Sequence, residues 1–419
     1  MTFSSSGLSE PLLRAVAGQK FSVPTPVQAL AIPAVLRGGD VLASAQTGSG
    51  KTAAFVLPVL EILSATRRAR GRLVRCLILV PTRELAAQIG EAVRGLGRFL
   101  PEPLKTLVVY GGVSINPQMM ALGGGADVLV ATPGRLLDLI AHNAVSLSRV
   151  SVLVLDEADR LLDLGFSDEL ARIIDLLPAR RQSLLFSATF PPVVLALAEN
   201  LLRDPIRIDV PSGTATKPAI VQRAIEVDKP RKTQLLRRLI QENNWARVLV
   251  FVSTKYATEH VAEKLRKSGI AATAIHGDLS QGARTKALAD FKDSKVRVLL
   301  ATDVAARGLD ISQLPVVVNF DLPRSTGDYT HRIGRTARAG ESGLAVNFIS
   351  ADTHAHFRLI EKRYRLCLPR EQIAGFEPVE MPPPSAGGGI KGRRKSKKDR
   401  LREAAARAQS VAARAQGRA

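Results

Sequence analysis

The sequence predicts an α/β fold in which parallel sheets are flanked by helices. Apolar, β-branched runs of four to six residues recur between longer stretches of helical periodicity, a pattern typical of βα units. Polar residues cluster directly after these runs. The ligand-binding edge of an open α/β sheet lies at the carboxyl ends of its strands, so we expect one functional edge in each domain.

The candidate strands fall into two groups, one in each half of the chain. In the first half, polar segments follow the runs 40–44, 77–80, 128–130, 152–155 and 184–186. In the second half, they follow the runs 248–251, 296–300 and 316–318. This repetition predicts two domains of the same general plan.

A linker is predicted between the two halves, because residues 204–218 hold proline, glycine, serine and threonine without a long apolar period. A second Pro/Gly-rich stretch, residues 382–389, precedes a basic end in which residues 390–419 hold eleven Lys or Arg against two acids. We expect this end to be a disordered tail that tethers RNA, although a solvated segment without a role has the same composition. The predicted organisation is a first domain over 1–208, a linker over 209–217, a second domain over 218–368, and a linker with tail over 369–419.

The first motif lies between the run 40–44 and a helical stretch that begins at residue 52. Its glycines let the backbone curl so that successive N–H groups face phosphate oxygens. Lys51 can reach the outer phosphates and Thr52 can hold magnesium. The plain pattern has glycine where this chain has Ala45. The predicted phosphate cradle consists of Ala45, Gln46, Thr47, Gly48, Ser49, Gly50, Lys51 and Thr52.

The second motif is acidic and directly follows the run 152–155. Asp156 can organise magnesium and its waters, and Glu157 can orient or deprotonate an attacking water. The alternative is an ordinary helix N-terminus rich in acidic residues. Its pairing with a phosphate cradle favours the catalytic reading, so we predict that the chain handles a nucleoside triphosphate with Mg²⁺.

The charge of the chain limits its partners. The 419 residues carry a formal net charge of +21, which points to an extended polyanion such as nucleic acid or an anionic surface. Nucleic acid is favoured because the sequence has no apolar span of 18 residues and its first residues lack a signal-peptide plan. Cys76 and Cys367 have no metal-like spacing, so we expect a reduced, cytoplasmic setting.

The second half has no phosphate cradle, so we expect it to complete the site of the first. Its candidate contribution is the segment 331–338, in which Arg335 and Arg338 lie three residues apart. Arginines at this spacing share one helix face and can neutralise charge on a γ-phosphate. A solvated basic helix face is the alternative.

With these motifs in order from Phe3 to Gly340, the chain resembles the DEAD-box RNA helicases. Residues 21–28 resemble the adenine-reading segment of that family, and the phosphate cradle, 156–159, 187–189 and 331–340 follow in the family's order. Among bacterial members it most resembles the RhlE-type branch, judged from 159–166 and the basic tail. The resemblance implies two tandem RecA-like domains that close on ATP and RNA together.

The resemblance also assigns roles around the nucleotide. Gln28 would bind the adenine edge, because a carboxamide offers one donor and one acceptor to the N6/N7 pair, while guanine fits poorly. Asp303 would contact the ribose, and Arg335 and Arg338 would reach the γ-phosphate. Phe3 would stack on the adenine ring, Phe21 would bind nucleotide as part of the adenine-reading segment, and Gly308 and Asp310 would shape the Asp303 loop. The residues that would couple the nucleotide to RNA are Ser187, Thr189, Asp159 and His331.

The RNA contacts implied by the resemblance use hydroxyls, glycine amides and arginines, which suit phosphates and 2′-hydroxyls rather than bases. Little sequence preference is expected, and the 4% aromatic content leaves few side chains for base stacking. The implied RNA-binding residues are Pro81, Thr82, Arg83, Gly111, Gly112, Thr132, Gly134, Arg135, Gln281, Arg284 and Thr302.

Two positions depart from the family pattern, which usually has glycine where this chain has Lys20 and Ala337. Neither removes a reacting group, so we expect an ATP-dependent RNA helicase that couples RNA-stimulated ATP hydrolysis to local, non-processive unwinding of short duplexes. An ATP-gated RNA clamp and a DNA-directed translocase are the alternative classes. Ribosome assembly, messenger decay and cold-condition RNA remodelling are all compatible with these residues.

Overall fold

Two seven-stranded sheets, each with all its strands parallel, form two lobes flanked by helices. The computed structural model describes residues 2–45, 48–66, 73–210, 220–306, 311, 314–336 and 343–380. The parallel sheets with flanking helices confirm the predicted fold class, and residues 211–217 of the predicted linker and the basic tail lie outside the described residues. No helix in the described part of the chain is long and apolar enough to span a membrane.

The first lobe has the strand order β3-β4-β2-β5-β6-β1-β7. Its strands are β1 (Val41–Ser44), β2 (Cys76–Leu79), β3 (Thr106–Val109), β4 (Val128–Ala131), β5 (Val152–Leu155), β6 (Gln182–Ser187) and β7 (Ile206–Asp209). Its helices are α1 (Glu10–Gly18), α2 (Pro26–Leu36), α3 (Lys51–Ala65), α4 (Arg83–Leu96), α5 (Asn116–Gly123), α6 (Pro133–Ala141), α7 (Ala158–Asp163), α8 (Ser167–Asp175) and α9 (Pro192–Leu201).

Both faces of this sheet are buried, which explains why its central strands are continuously apolar. Alternate side chains of a strand point to opposite faces. In β4, Val128 and Val130 belong to the core on one face, whereas Leu129 and Ala131 belong to the core on the other. The carboxyl ends of β1, β2, β4, β5 and β6 consequently meet at one edge, and the polar segments that follow them are brought together there.

The second lobe has the strand order β10-β11-β9-β12-β13-β8-β14. Its strands are β8 (Ile220–Glu226), β9 (Val248–Phe251), β10 (Ala272–Ile275), β11 (Val298–Ala301), β12 (Val316–Asn319), β13 (Gly343–Ile349) and β14 (Arg370–Glu371). Its helices are α10 (Lys232–Glu242), α11 (Lys255–Lys267), α12 (Gln281–Lys292), α13 (Asp303–Ala306), α14 (Thr326–Ile333) and α15 (His354–Tyr364).

The residues after α15 pack against the second lobe as far as Glu380. Glu371 in β14 forms an ion pair with Arg223 of β8 at 2.6 Å, and Phe376 packs against the core. The backbone N–H groups of Val379 and Glu380 donate to the carboxylate of Asp228 at 3.0 and 3.2 Å. The predicted end of the second domain at residue 368 stays a prediction. The contacts of residues 371–380 with the second lobe extend beyond that boundary.

Candidate nucleotide and RNA site between the lobes

The phosphate cradle follows β1 and opens α3, as its sequence predicts. The N–H of Ala45 donates to the carbonyl of Ser187 at 3.1 Å, which ties the start of the cradle to the end of β6. Gly48 and Gly50 adopt φ values of 78° and 91°, a region that favours glycine. A Cβ atom at Gly50 would lie 2.5 Å from Nε2 of Gln28. Gln46 and Thr47 lie outside the described residues.

Lys51 and Asp156 are both buried, at 6% and 3% exposure, whereas Ser49 and Thr52 are half-buried. Within the described residues, Nζ of Lys51 and Oε2 of Glu157 have no hydrogen-bond partner. Burial raises the pKa of Asp156 to about 6, although the Lys51 charge acts in the opposite direction. Because buried polar atoms are nearly always paired, these groups fit a site built for magnesium and phosphate oxygens.

Asp159 links the acidic segment to the residues that follow β6. Its Oδ2 accepts hydrogen bonds from Oγ1 of Thr189 at 2.7 Å and from the Thr189 N–H at 3.1 Å. Its own N–H donates to Oγ of Ser187 at 3.3 Å, and that hydroxyl donates to the Thr189 carbonyl at 2.7 Å. The structure therefore places Asp159, Ser187 and Thr189 in one hydrogen-bonded unit. Their role in coupling ATP to RNA stays a prediction.

The acidic segment faces α14 of the second lobe. Burial and the Arg160 guanidinium hold the pKa of His331 below its usual range, against the opposing effect of Asp159. A small cavity lies where the two lobes meet here, and its lining includes Arg160 of the first lobe and Asp303, His331 and Arg335 of the second. Arg335 thus lines the same cavity as Arg160, and its contact with the γ-phosphate stays a prediction, whereas Arg338, Gly308 and Asp310 lie outside the described residues.

Arg332 organises the second lobe's side of this cavity, a role that the sequence analysis did not assign. Its Nε and second terminal nitrogen donate to the two carboxylate oxygens of Asp303 at 2.6 and 2.7 Å. Its other terminal nitrogen donates to Oδ1 of Asn319 at 2.9 Å and to the Asp321 carbonyl at 2.6 Å. The predicted ribose contact, Asp303, is therefore held in place by Arg332.

The predicted adenine residues have different surroundings. Gln28 is 4% exposed and hydrogen-bonded at both ends of its amide: Oε1 accepts from the Thr25 N–H at 2.9 Å, and Nε2 donates to the Gly50 carbonyl at 3.1 Å. A carboxamide keeps one further donor and one further acceptor, which suffices for an adenine edge. Phe3 is packed in the core at 5% exposure, whereas Phe21 is 41% exposed.

Lys20 occupies a conformation that explains the family's usual glycine. Its φ is 60°, its N–H donates to the Ala17 carbonyl, and the Phe21 N–H donates to the Val16 carbonyl. These bonds form a Schellman motif that ends α1, and its αL position is normally glycine. Lys20 is thus a strained turn residue that sets the direction in which the chain reaches Phe21.

The RNA-binding residues predicted in the first lobe lie at the ends of β2, β3 and β4. Thr82 caps α4 through a 3.3 Å hydrogen bond from the Leu85 N–H. Gly112 has a φ of 80°, and a Cβ atom there would lie 2.9 Å from a guanidinium nitrogen of Arg83. Arg135 donates to the Val113 carbonyl at 2.7 Å. The others, Pro81, Gly111, Thr132 and Gly134, belong to the same loops and helix starts.

The RNA-binding residues predicted in the second lobe follow β10 and β11. Thr302 directly follows β11, and Gln281 is the first residue of α12. Arg284 is 4% exposed and forms an ion pair with Glu84 of the first lobe. This buried contact joins α12 to α4 across the interface, a relation that no local sequence signal indicated.

Comparisons with known proteins agree with this geometry. The DEAD/DEAH box helicase family matches residues 25–197, and the helicase conserved C-terminal domain matches 231–340. The ATP-dependent RNA helicase DeaD of Mycobacterium tuberculosis is 42% identical over 378 residues, which are 90% of this chain and 66% of that protein. The DEAD-box ATP-dependent RNA helicase CshA of Geobacillus kaustophilus is 41% identical over 361 residues, covering 86% of this chain and 76% of that protein.

Among solved structures, S. cerevisiae Dbp5 bound to RNA and ADP BeF3 is similar with a TM-score of 0.78 at 30% identity, over 88% of this chain and 95% of that one. The TM-score is 0.69 for a Dbp5 variant bound to a Gle1 variant and IP6, at 31% identity over 89% of this chain and 95% of that one. The RhlE-type branch stays a prediction, and the chain belongs to the family of DEAD-box ATP-dependent RNA helicases.

Proposed function

We propose that this chain hydrolyses ATP when RNA is bound and uses that cycle to separate short RNA duplexes locally. The observation that supports this most is the meeting of the two lobes around the nucleotide site. Asp156 and Glu157 follow a strand of the first lobe, and Asp303, His331 and Arg335 line the facing cavity from the second. A reaction site completed by two bodies can work only when they are together, so ligand binding and lobe closure are coupled.

Each residue at the nucleotide has a distinct task. Lys51 binds the outer phosphates, and its buried ammonium has no competing hydrogen-bond partner in the described residues. Magnesium, held by Thr52 and Asp156, would neutralise phosphate charge when bound. Glu157 orients the attacking water, and Arg335 with Arg338 stabilises charge on the transferred phosphoryl group. His331 positions these arginines relative to Asp159 rather than acting as a base.

RNA is bound by the loops at the carboxyl ends of both sheets. Backbone N–H groups, hydroxyls and guanidinium groups contact phosphates and 2′-hydroxyls, so base sequence has little influence. With the lobes closed, this surface accepts a bent single strand and not a straight duplex, which separates a few base pairs. Hydrolysis removes the γ-phosphate that joins Lys51 to the arginines, and the lobes can reopen. No translocation along the duplex is needed.

The basic end of the chain indicates further contacts with RNA. The basic tail over 390–419 tethers RNA, and ribosomal or RNA-decay assemblies in the cytoplasm are suitable sources of structured RNA. Removal of the tail should weaken RNA binding and reduce its dependence on salt concentration. Equal affinity and equal salt dependence in the shortened chain would contradict the tether.

The test of the proposed function is steady-state ATP turnover by the purified chain alone, with unstructured RNA, and with single-stranded DNA of the same sequence. We expect strong stimulation by RNA only. Equal stimulation by DNA would support a DNA-directed translocase, and no stimulation would support a clamp. In the same assay, Glu157→Gln should bind ATP and RNA but turn over slowly, and normal turnover would refute the role of Glu157.

A further inference from the structure

Tyr256 is an exposed aromatic side chain at the start of α11. It is 79% exposed, whereas Tyr329 is fully buried and Tyr110 and Tyr364 are half-buried. Its ring stacks on that of His260, one helical turn later, with ring centroids 5.8 Å apart and an angle of 11° between the planes. The pair therefore offers a flat surface whose orientation is fixed by the helix.

This pair lies beside the loop that leads to the second lobe's predicted RNA contacts. Lys255 forms an ion pair with Asp278, which precedes Gln281 by three residues. Further along the same helix, Oε1 of Glu259 lies 3.0 Å from Nε2 of His276, at the start of that loop. These two contacts fix the first turns of α11 against the β10–α12 loop. Tyr256, the second residue of α11, thus stands at the carboxyl edge of the sheet, and its neighbour Lys255 contacts the loop that leads to α12.

Among the described residues of α11, one basic side chain shares the face of the aromatic pair without an acidic partner on that face. Residues 256, 260, 264 and 267 share one face of α11, because their spacing follows the helical repeat. On this exposed face, Lys264 follows His260 by one helical turn, whereas Lys267 at the end of the helix is ion-paired with Glu263 at 2.6 Å. Aromatic faces next to basic side chains are the usual means by which proteins hold single-stranded nucleic acid.

We propose that the Tyr256–His260 pair stacks one nucleobase of single-stranded RNA, just outside the backbone contacts around Gln281. This inference rests on the proposed RNA binding and adds a base contact to a surface otherwise suited to phosphates and 2′-hydroxyls. Every nucleobase has a π face, so the stack would strengthen binding without imposing a sequence. It would also hold a strand after it has been separated from its complement.

The test compares the affinities of the full chain and its variants for a short fluorescent single-stranded RNA, with an ATP analogue present. Tyr256→Ala should weaken binding about 5- to 150-fold, the range for loss of one base stack. Tyr256→Phe should bind as the wild type does, because it keeps the ring. Leu359→Ala serves as a control, since Leu359 is 59% exposed on α15 of the same lobe and should have no effect.

A second RNA, with abasic sites in place of bases, distinguishes the loss of a base stack from a general loss of RNA binding caused by disturbed folding of the variant. The wild type should bind it more weakly than the normal RNA, and Tyr256→Ala should bind both RNAs alike. If Tyr256→Ala binds normal RNA as tightly as the wild type, the stacking surface is refuted, and Tyr256 is left as a candidate protein contact. If the wild type itself binds no RNA, the proposed function fails as well.

Discussion

Replacing Arg332 should destabilise the second lobe strongly, because this one side chain satisfies acceptors on three residues. The Arg332 side chain is 3% exposed, and its guanidinium donates four hydrogen bonds to Asp303, Asn319 and Asp321. Arg332→Ala would leave Oδ1 of the fully buried Asn319 without that donor. It would also leave the Asp303 carboxylate, at 22% exposure, to recover only part of its solvation from water.

The expected magnitude follows from those losses. A buried acceptor without a donor costs about 1–3 kcal/mol, and a carboxylate in a half-buried pair costs more. We expect Arg332→Ala to lower the free energy of unfolding of the second lobe by about 3–5 kcal/mol. Arg332→Lys should lose about half as much, since an ammonium keeps the charge but not the two-pronged geometry.

The assay is equilibrium unfolding in urea, followed by the fluorescence of Trp245. This is the only tryptophan of the chain, and it lies in the core of the second lobe at 8% exposure, so the signal reports that lobe alone. Arg358→Ala, an exposed arginine on α15, is the matched control and should change stability by less than about 0.5 kcal/mol.

A double-mutant cycle that combines Arg332→Ala with Asp303→Ala measures the interaction energy between the two side chains. If the bidentate contact stabilises the lobe, the double variant should be more stable than the sum of the single effects predicts, by about 2 kcal/mol. Additive losses, or a loss below about 1 kcal/mol in Arg332→Ala, would refute the reasoning.

Four further predictions concern the first lobe. Without nucleotide, the raised pKa of Asp156 means that its ionisation opposes folding, so the stability of the wild type relative to Asp156→Asn should fall by about 3 kcal/mol as pH rises from 3.8 to about 6 when unfolding is followed by circular dichroism, and a constant difference would contradict this. Lys20→Gly should raise the free energy of unfolding by about 1 kcal/mol, because it relieves the left-handed conformation, and unchanged stability would contradict that strain. Gly50→Ala should weaken ATP binding at least tenfold in a calorimetric titration, since its Cβ would displace Gln28, and normal affinity would show that the loop adapts. Lys51→Ala should reduce ATP affinity itself, and an unchanged dissociation constant would count against the cradle.

Most central strands of the first sheet could be predicted from their apolar runs, whereas the strands at the sheet edges could not. β2, β4 and β5 are covered on both faces and read as continuous apolar runs. The predicted runs did not include the edge strands β3, β7, β10 and β14, nor the interior strands β8 and β13 of the second lobe. β3 and β7 are only partly buried and β14 has two residues, so their sequences carry a weaker apolar pattern.

In the site, too, the local motifs could be predicted from the sequence, whereas the long-range contacts could not. Gly48, Gly50 and Lys51 are close in sequence, so their arrangement follows from local backbone geometry. The ion pair between Glu84 and Arg284 joins residues 200 positions apart in different lobes, and only the tertiary structure brings them together. The bidentate ion pair between Arg332 and Asp303 is likewise a long-range contact. The periodicity of a basic helix face does not reveal which of its arginines is buried.

Phe3 shows how a motif position can have more than one task. The resemblance implies that it stacks on adenine, and the structure places it in the core of the first lobe beside α1. Its stacking role stays a prediction. Loss of its ring would also remove core packing, so a Phe3 variant would not separate nucleotide binding from stability.

The central claim is that ATP and RNA close the two lobes together, and the most direct measurement is the RNA affinity of the full chain with and without ADP BeF3. Linkage requires that a nucleotide which favours closure also tightens RNA binding, and that RNA tightens nucleotide binding by the same factor. We expect RNA binding to be at least tenfold tighter with ADP BeF3 than without nucleotide, an effect of at least about 1.4 kcal/mol. Equal RNA affinity in the two conditions would contradict it.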